Sequence, residues 1–390
     1  GKPKGVCLTY NNVIMHMLGI IIEMKINELD VWLHISPMFH LVDAFSIYSL
    51  PYVSGKQIIQ NRYNIEDTIK YLSKYKITIS NIASTVGKII IQNPLINKYK
   101  YNLRILSCGG SPLDNLTVKK IKQIFNCEFF ISYGMTECCG KISMSILNES
   151  NKNNYDYLCT SGRQFGMTEI LILDDDGEEI KENDIVGNIF IRGNSLFNGY
   201  YNKDNKNIFN EKGWFDTGDL GKWFNGYLKV VDRKKDMILV GSENVYCVEV
   251  EEVINSYNGI KLSSVIGKEH NLLGQIPVAY LILEDNFNLD LKDLKEYCTQ
   301  KLSNYKIPNE FIVSTKLPMT GSGKINKKIL KNNLLNNNNM EFNDFENLTK
   351  LIYTDCNNNN NFSINYKLIS NKIKDSINDC NLIYYTDNDE

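Results

Sequence analysis

"LRILSCGGSPLDNLTVKKIKQIFNCEFFISYGMTE", residues 103–137, holds two strands and the helix between them. The run LRILSC (103–108) is short and continuously apolar, as a strand buried on both faces is, and Gly109 and Gly110 turn the chain after it. Ser111, Pro112 and Asp114 supply an N-cap, a proline for the first helical turn and a capping-box acid. Leu113, Leu116, Ile121, Ile124 and Phe125 recur at helical spacing before CEFFI (127–131) resumes as a strand. Strand, crossover helix and strand is the unit that builds parallel sheets, and ligands of open α/β sheets sit beyond the carboxyl ends of the strands. GGSP and YGMTE are therefore expected to face one crevice.

The same alternation of apolar strands and amphipathic helices runs through residues 1–231, which predicts a large, layered α/β domain with parallel strands. Val13–Met24 is the most apolar run; His16 interrupts it and it is too short to span a bilayer, so it reads as a packed helix. Residues 232–331 read as a smaller, mobile α+β domain: VEVEEVI (248–254) and LKDLKEYCTQKL (291–302) as helices, LSSVIG (262–267) and PVAYLIL (277–283) as strands. The charged run DRKKD (232–236) is the expected boundary. From 332 to 390 asparagine tracts dominate, and such a tail buries too little apolar surface to offset its ordering entropy.

Lys and Arg (43) nearly balance Asp and Glu (45) in the 390 residues, which argues against a nucleic-acid or anionic-membrane binder, so an anionic ligand must be held by local charges. The ten cysteines lack C-x2-C spacing, which fits reduced thiols in the cytoplasm or another reducing compartment. PMTGSGKI (318–325) fails as a Walker A loop, because Pro318 and Ile325 stand where a glycine and a Ser or Thr are needed. Its glycines still make a turn that can carry Lys324 to a negative charge.

Six stretches then fall in one order: GKPKGV (1–6), SPMFH (36–40), SYGMTE (132–137), GWFDTGDLG (213–221), DRKKDMILVGSENVY (232–246) and TGSGKI (320–325). Together they resemble the adenylate-forming superfamily of acyl-CoA ligases, luciferases and carrier-loading adenylation domains, over residues 1 to about 331. The resemblance implies ATP, Mg²⁺ and CoA as partners of a small carboxylic acid, which is activated as an acyl-AMP and passed to a thiol.

It also implies roles. Lys324 would bridge the carboxylate and the α-phosphate, where positive charge is needed in the transition state. Lys4 would contact the β- and γ-phosphates. Gly109, Gly110, Ser111 and Pro112 would lie against one face of adenine and Tyr133 against the other, with Gly134 and Met135 in the same nucleotide motif. Thr136 would bind a phosphate, and Glu137 would hold Mg²⁺ as a hard oxygen ligand. Asp219 would accept the ribose hydroxyls with Arg233 beside it, Lys235 would mark the hinge of the small domain, and His40 would gate the acyl pocket.

Two kinds of departure stand out. The phosphate-loop motif begins midway at GKPKG, so the large domain is expected to be truncated at its N-terminus. Cys247 replaces the proline of ENVYP, and Ser242 the second glycine of GGEN. The leading reading is an acid:CoA ligase, with DVWLHISPMFH, SYGMTECC and KLSNYKIP closest to 2-succinylbenzoate–CoA ligases. A module that loads a carrier protein and a non-catalytic nucleotide-binding remnant stay open beside it.

Overall fold

The computed structural model describes residues 4–335 except 37, 39, 40, 62, 110–114, 146–156, 158, 159 and 321–323. Three sheets follow one another along the chain. The first contains β1 (Val31–His34), β2 (Lys56–Ile59), β3 (Ile79–Ala83), β4 (Ile105–Gly109), β5 (Glu128–Tyr133), β6 (Ser143–Met144) and β7 (Arg163–Gln164), in the order β2-β1-β3-β4-β5-β6-β7. Strands β1–β5 are parallel, as the alternation predicts, and β6 and β7 add antiparallel edges.

Helices α1 (Tyr10–Met24), α2 (Leu41–Ala44), α3 (Ser46–Tyr52), α4 (Ile65–Lys74), α5 (Ser84–Gln92) and α6 (Asn115–Phe125) accompany this sheet. One core joins Ile69, Leu72, Val118, Ile121 and Phe125 to Leu33, Leu106 and Phe129 of the strands. A second joins Ile20 and Met24 of α1 to Trp32, Ile79, Ile105 and Phe130. These helices bury apolar stripes on both sides of the strands, and that dry sandwich fixes the register of β3, β4 and β5. Helix α1 starts at Thr9, whose side chain accepts the Asn12 N–H while the Asn12 side chain accepts the Thr9 N–H.

The parallel expectation does not hold for all of residues 1–231. The second sheet, β8 (Thr168–Leu173), β9 (Gly187–Gly193), β10 (Phe215–Phe224) and β11 (Tyr227–Arg233), is antiparallel throughout. For β10 and β11 the reason is visible in FNGY (224–227): Asn225 and Gly226 both have positive φ, 49° and 80°, and join the two strands as a two-residue hairpin. A parallel return needs a crossover of a dozen or more residues, for which this turn leaves no room.

The third sheet holds β12 (Ile238–Val240), β13 (Glu243–Val245), β14 (Ile260–His270), β15 (Gly274–Leu283) and β16 (Glu310–Val313), with β16 parallel to β15 and the rest antiparallel. Helices α7 (Cys247–Asn255), α8 (Leu291–Thr299) and α9 (Lys327–Leu335) go with it. Val250, Ile254, Leu294 and Cys298 pack on Val265, Ala279 and Leu281. The whole is a large α/β part followed by a smaller α+β part, and α9 runs four residues past 331. Residues 336–390, where the tail was expected, lie outside the described residues.

Candidate active site

Three of the quoted stretches meet at Asp219. β4 and β5 run in register with Gly109 opposite Ser132, so Gly109 and Tyr133 end on the same edge of the first sheet. After Tyr133 the chain folds tightly on itself: a Cβ on Gly134 would lie 1.6 Å from the Gly140 carbonyl oxygen, so only glycine fits there. The Met135 carbonyl accepts from the Cys138 and Gly140 N–H groups at 3.2 and 3.1 Å, closing the loop that carries Thr136 and Glu137.

Asp219 comes from β10, where the pairing with β9 slips between Asp216 and Leu220. Gly218 takes φ +71°, and the Asp219 N–H donates to Thr217 Oγ1 at 3.1 Å. Such a bulge re-aims a side chain. The Tyr133 hydroxyl donates to Asp219 Oδ2 at 2.7 Å, and Arg233, the register partner of Asp219 on β11, brings Nε to 3.6 Å from Oδ1. Asp219 is buried, and burial raises its pKa against the pull of the Tyr133 bond, Arg233, Lys324 and Lys235. Burial and the neighbouring carboxylate push the Tyr133 phenol well up, so it stays a donor.

Lys324 arrives from the other end of the chain. Met319 and Ile325 pair across the PMTGSGKI turn, and the Thr320 N–H donates to the Lys324 carbonyl at 2.7 Å. The residue as a whole is exposed to solvent. Crowding around its amine, then the positive charge of Arg233, lower its pKa from the usual lysine value, and Asp219 opposes the shift. Lys235, exposed in the turn after β11, adds positive potential at Asp219.

A second group borders the loop. Val6 forms an isolated antiparallel bridge with Tyr200, and the Cys7 N–H donates to the Gly199 carbonyl at 3.0 Å, which pins the segment bearing Lys4. Lys4 Nζ stands 3.9 Å over the Tyr200 ring, and the Tyr200 hydroxyl donates to Glu137 Oε1 at 2.8 Å. Burial, then Glu137, raises the Tyr200 pKa. Lys4 and Glu137 are thus brought to one aromatic ring. Among the described residues no group of three or more His, Cys, Asp and Glu is placed to hold a metal. One carboxylate such as Glu137 fits Mg²⁺, which binds through one or two carboxylates plus substrate phosphates, better than it fits a metal needing a protein cage.

Thr136 begins the turn Thr136–Cys138 and is exposed. His40, Gly110, Ser111 and Pro112 lie outside the described residues, as do Gly321, Ser322 and Gly323 of the lysine turn.

Sequence reasoning missed Tyr200 and the buried cluster around Lys141. Lys141 Nζ donates to Asn81 Oδ1 at 2.9 Å and Ser107 Oγ at 3.0 Å, the paired central residues of β3 and β4. Its backbone N–H donates to His16 Nε2 at 3.0 Å. Burial lowers the Lys141 pKa to about 7, with Asp43 opposing, and burial followed by the Lys141 charge lowers that of His16 to about 3. The signal available was one charge in CCGKISM (138–144), a run otherwise of small and apolar residues.

Comparisons with known proteins show the family. The family profile described as AMP-binding enzyme matches residues 1–201, and that described as AMP-binding enzyme C-terminal domain matches residues 249–324. The 2-succinylbenzoate–CoA ligase of Listeria monocytogenes serotype 4b (strain F2365) is 32% identical over 335 residues, 85% of this chain and 67% of that protein. The protein of the same name from Bacillus subtilis (strain 168) is 29% identical over 333 residues, 85% of this chain and 66% of that protein.

Among solved structures, the o-succinylbenzoate CoA synthetase of Bacillus subtilis with its acyl-adenylate intermediate superposes with a TM-score of 0.76 at 29% identity, covering 86% of this chain and 66% of that one. The same synthetase with ATP and magnesium ion gives 0.76 at 30% identity, covering 86% and 67%. The chain spans about two thirds of the length of these relatives. With both profiles matched in order, and Asp219, Tyr133, Arg233 and Lys324 converging from separate motifs, the chain belongs to the AMP-binding enzyme family.

Proposed function

We propose that this chain carries the catalytic groups of an ATP-dependent acid:CoA ligase acting on a carboxylic acid of the 2-succinylbenzoate class. In the first step a carboxylate oxygen attacks the α-phosphorus of ATP and pyrophosphate leaves. In the second, the sulfur of CoA attacks the acyl carbon and AMP leaves. The observation that carries this reading is the convergence of Lys324, Arg233 and Lys235 on Asp219, itself held by Tyr133.

Asp219, fixed by two partners and not fully paired by either, is suited to accept the ribose hydroxyls, and Arg233 lies beside it. Lys324 has the reach of a turn and a charge poised beside a carboxylate, as a group stabilising charge on the α-phosphate needs. Lys4, held over Tyr200 near Glu137, is suited to the β- and γ-phosphates. Glu137 would hold Mg²⁺, which neutralises phosphate charge when bound. Thr136, Gly134 and Met135 line the loop beside it, and Gly109 leaves room for adenine next to Tyr133. The second-step arrangement follows from a swing of residues 232–331 about Lys235 relative to 1–231. No described helix is long and apolar enough to cross a membrane. Cys138, Cys139 and Cys298 are buried, unbridged thiols, which supports a reducing setting such as the cytoplasm.

Exchange of labelled pyrophosphate into ATP, dependent on added 2-succinylbenzoate, tests the first step, and formation of its CoA thioester tests the second. Exchange without thioester formation would favour loading of a different acceptor. Absence of exchange with this acid and with a panel of aromatic and aliphatic acids would sink the ligase reading.

A further inference from the structure

Cys247 is the first residue of α7, a position that favours proline because its N–H has no partner inside the helix. Here that N–H does have a partner. It donates to Asp232 Oδ2 at 2.6 Å, and the thiol donates to the Asp236 carbonyl at 3.0 Å. Asp232 is 5% exposed, and its other oxygen accepts from the Arg233 N–H at 2.7 Å. The carboxylate lies at the end of β11 in the second sheet, whereas the amide opens the helix packed into the core of the third. Between them in sequence is the turn that carries Lys235. One charge-assisted bond thus spans the point about which the small part would swing.

We infer that the Asp232–Cys247 bond is a positioning contact that holds the third-sheet region where Lys324 meets Asp219, and that it disfavours the swing toward the thiol step. The inference rests on the ligase reading for its consequence, not for its geometry. If α7 leaves β11, Asp232 loses the Cys247 donor, and bonds to charged groups outweigh neutral ones. A proline, as in the ENVYP pattern, has no N–H and leaves nothing to lose.

The test compares two variants of the whole chain. Cys247→Ala keeps the amide and removes the thiol; Cys247→Pro suits the first helical position and removes the amide. Relative to Cys247→Ala, the proline variant is expected to lower acid-dependent pyrophosphate exchange and to raise thioester formation from supplied acyl-adenylate, changing their ratio about tenfold or more. Fluorophores at the exposed positions 59 and 272 should report a changed distance distribution in the proline variant alone. An equal ratio in the two variants, or equal distance distributions, overturns the inference. If exchange is absent from both variants and from the parent, the ligase reading fails, while the distance measurement still decides whether the contact holds the two parts.

Discussion

Lys324 and Lys141 both have lowered pKa values, yet they stand in opposite kinds of place. Lys324 is exposed, and its charge is felt by Asp219 and Arg233 of the second sheet. Lys141 is 3% exposed, fixed on Asn81 and Ser107 within the first sheet, and lies 4.9 Å over the Phe45 ring. The first arrangement leaves a charge available to an incoming anion. The second commits its hydrogen bonds to the fold and makes the amine's charge state a matter of stability. A buried lysine is therefore not by itself a catalytic one; what separates the two is whether the amine's hydrogen bonds are already taken up by the fold.

The strongest way to break this contrast is Lys324→Ala. If Lys324 holds the proposed place at the α-phosphate, its loss should slow acid-dependent pyrophosphate exchange about 10²-fold or more. Lys141→Met should leave a larger residual rate than Lys324→Ala does; the reverse order would move the chemistry to the sealed cluster. Tyr133→Phe comes next. It removes the 2.7 Å bond that orients Asp219, and it should raise the KM for ATP by about tenfold with a smaller change in kcat. A fall in kcat alone would mean that Tyr133 acts on the reacting atoms rather than on nucleotide placement.

The sealed side of the contrast is sharpened by pH. The folded protein binds the Lys141 proton only below about 7, whereas the unfolded chain binds it up to about 10.5. Between those values unfolding takes up a proton, so stability rises with pH across that window, by at most about 1.4 kcal/mol per pH unit from this group. Below about 7 both forms are protonated and the dependence ends. His16 repeats the pattern between about 3 and 6.5. Denaturant titrations from pH 6 to 10 should show the upper slope in the parent protein and lose it in Lys141→Met. An unchanged slope would mean that the amine is hydrated and charged in the fold.

Much of this was legible in residue order. The parallel strands of the first sheet and the shared edge of Gly109 and Tyr133 follow from the strand–helix–strand periodicity, whereas the expectation that Asp219 and Arg233 lie together came from the resemblance. The antiparallel second sheet was missed because a period of two marks strands and not their direction; the Asn225–Gly226 turn held that information. Lys141 and Tyr200 were missed for a different reason. Their partners, Asn81 and Ser107 for one and Glu137 for the other, are 34 to 63 residues away, and only the folded sheets bring them together.

The smallest expected effect lies in neither cluster. Val240 pairs with Glu243 across a two-residue hairpin whose central residues, Gly241 and Ser242, have φ of +57° and +84°. That turn asks both for the left-handed region, which glycine enters freely and serine enters at a cost of about 1–2 kcal/mol. Ser242→Gly removes the cost but gives the unfolded chain more freedom, so the net gain should be about 0.5–1 kcal/mol. A higher denaturant midpoint with an unchanged m-value would show it, and the slope between pH 7 and 10 should stay that of the parent, since Lys141 is untouched. A midpoint that stays put or falls would mean that the serine side chain makes a stabilising contact strong enough to hold a strained backbone. In that case the departure from GGEN would be a built feature of the third-sheet region, as the Asp232–Cys247 contact is proposed to be.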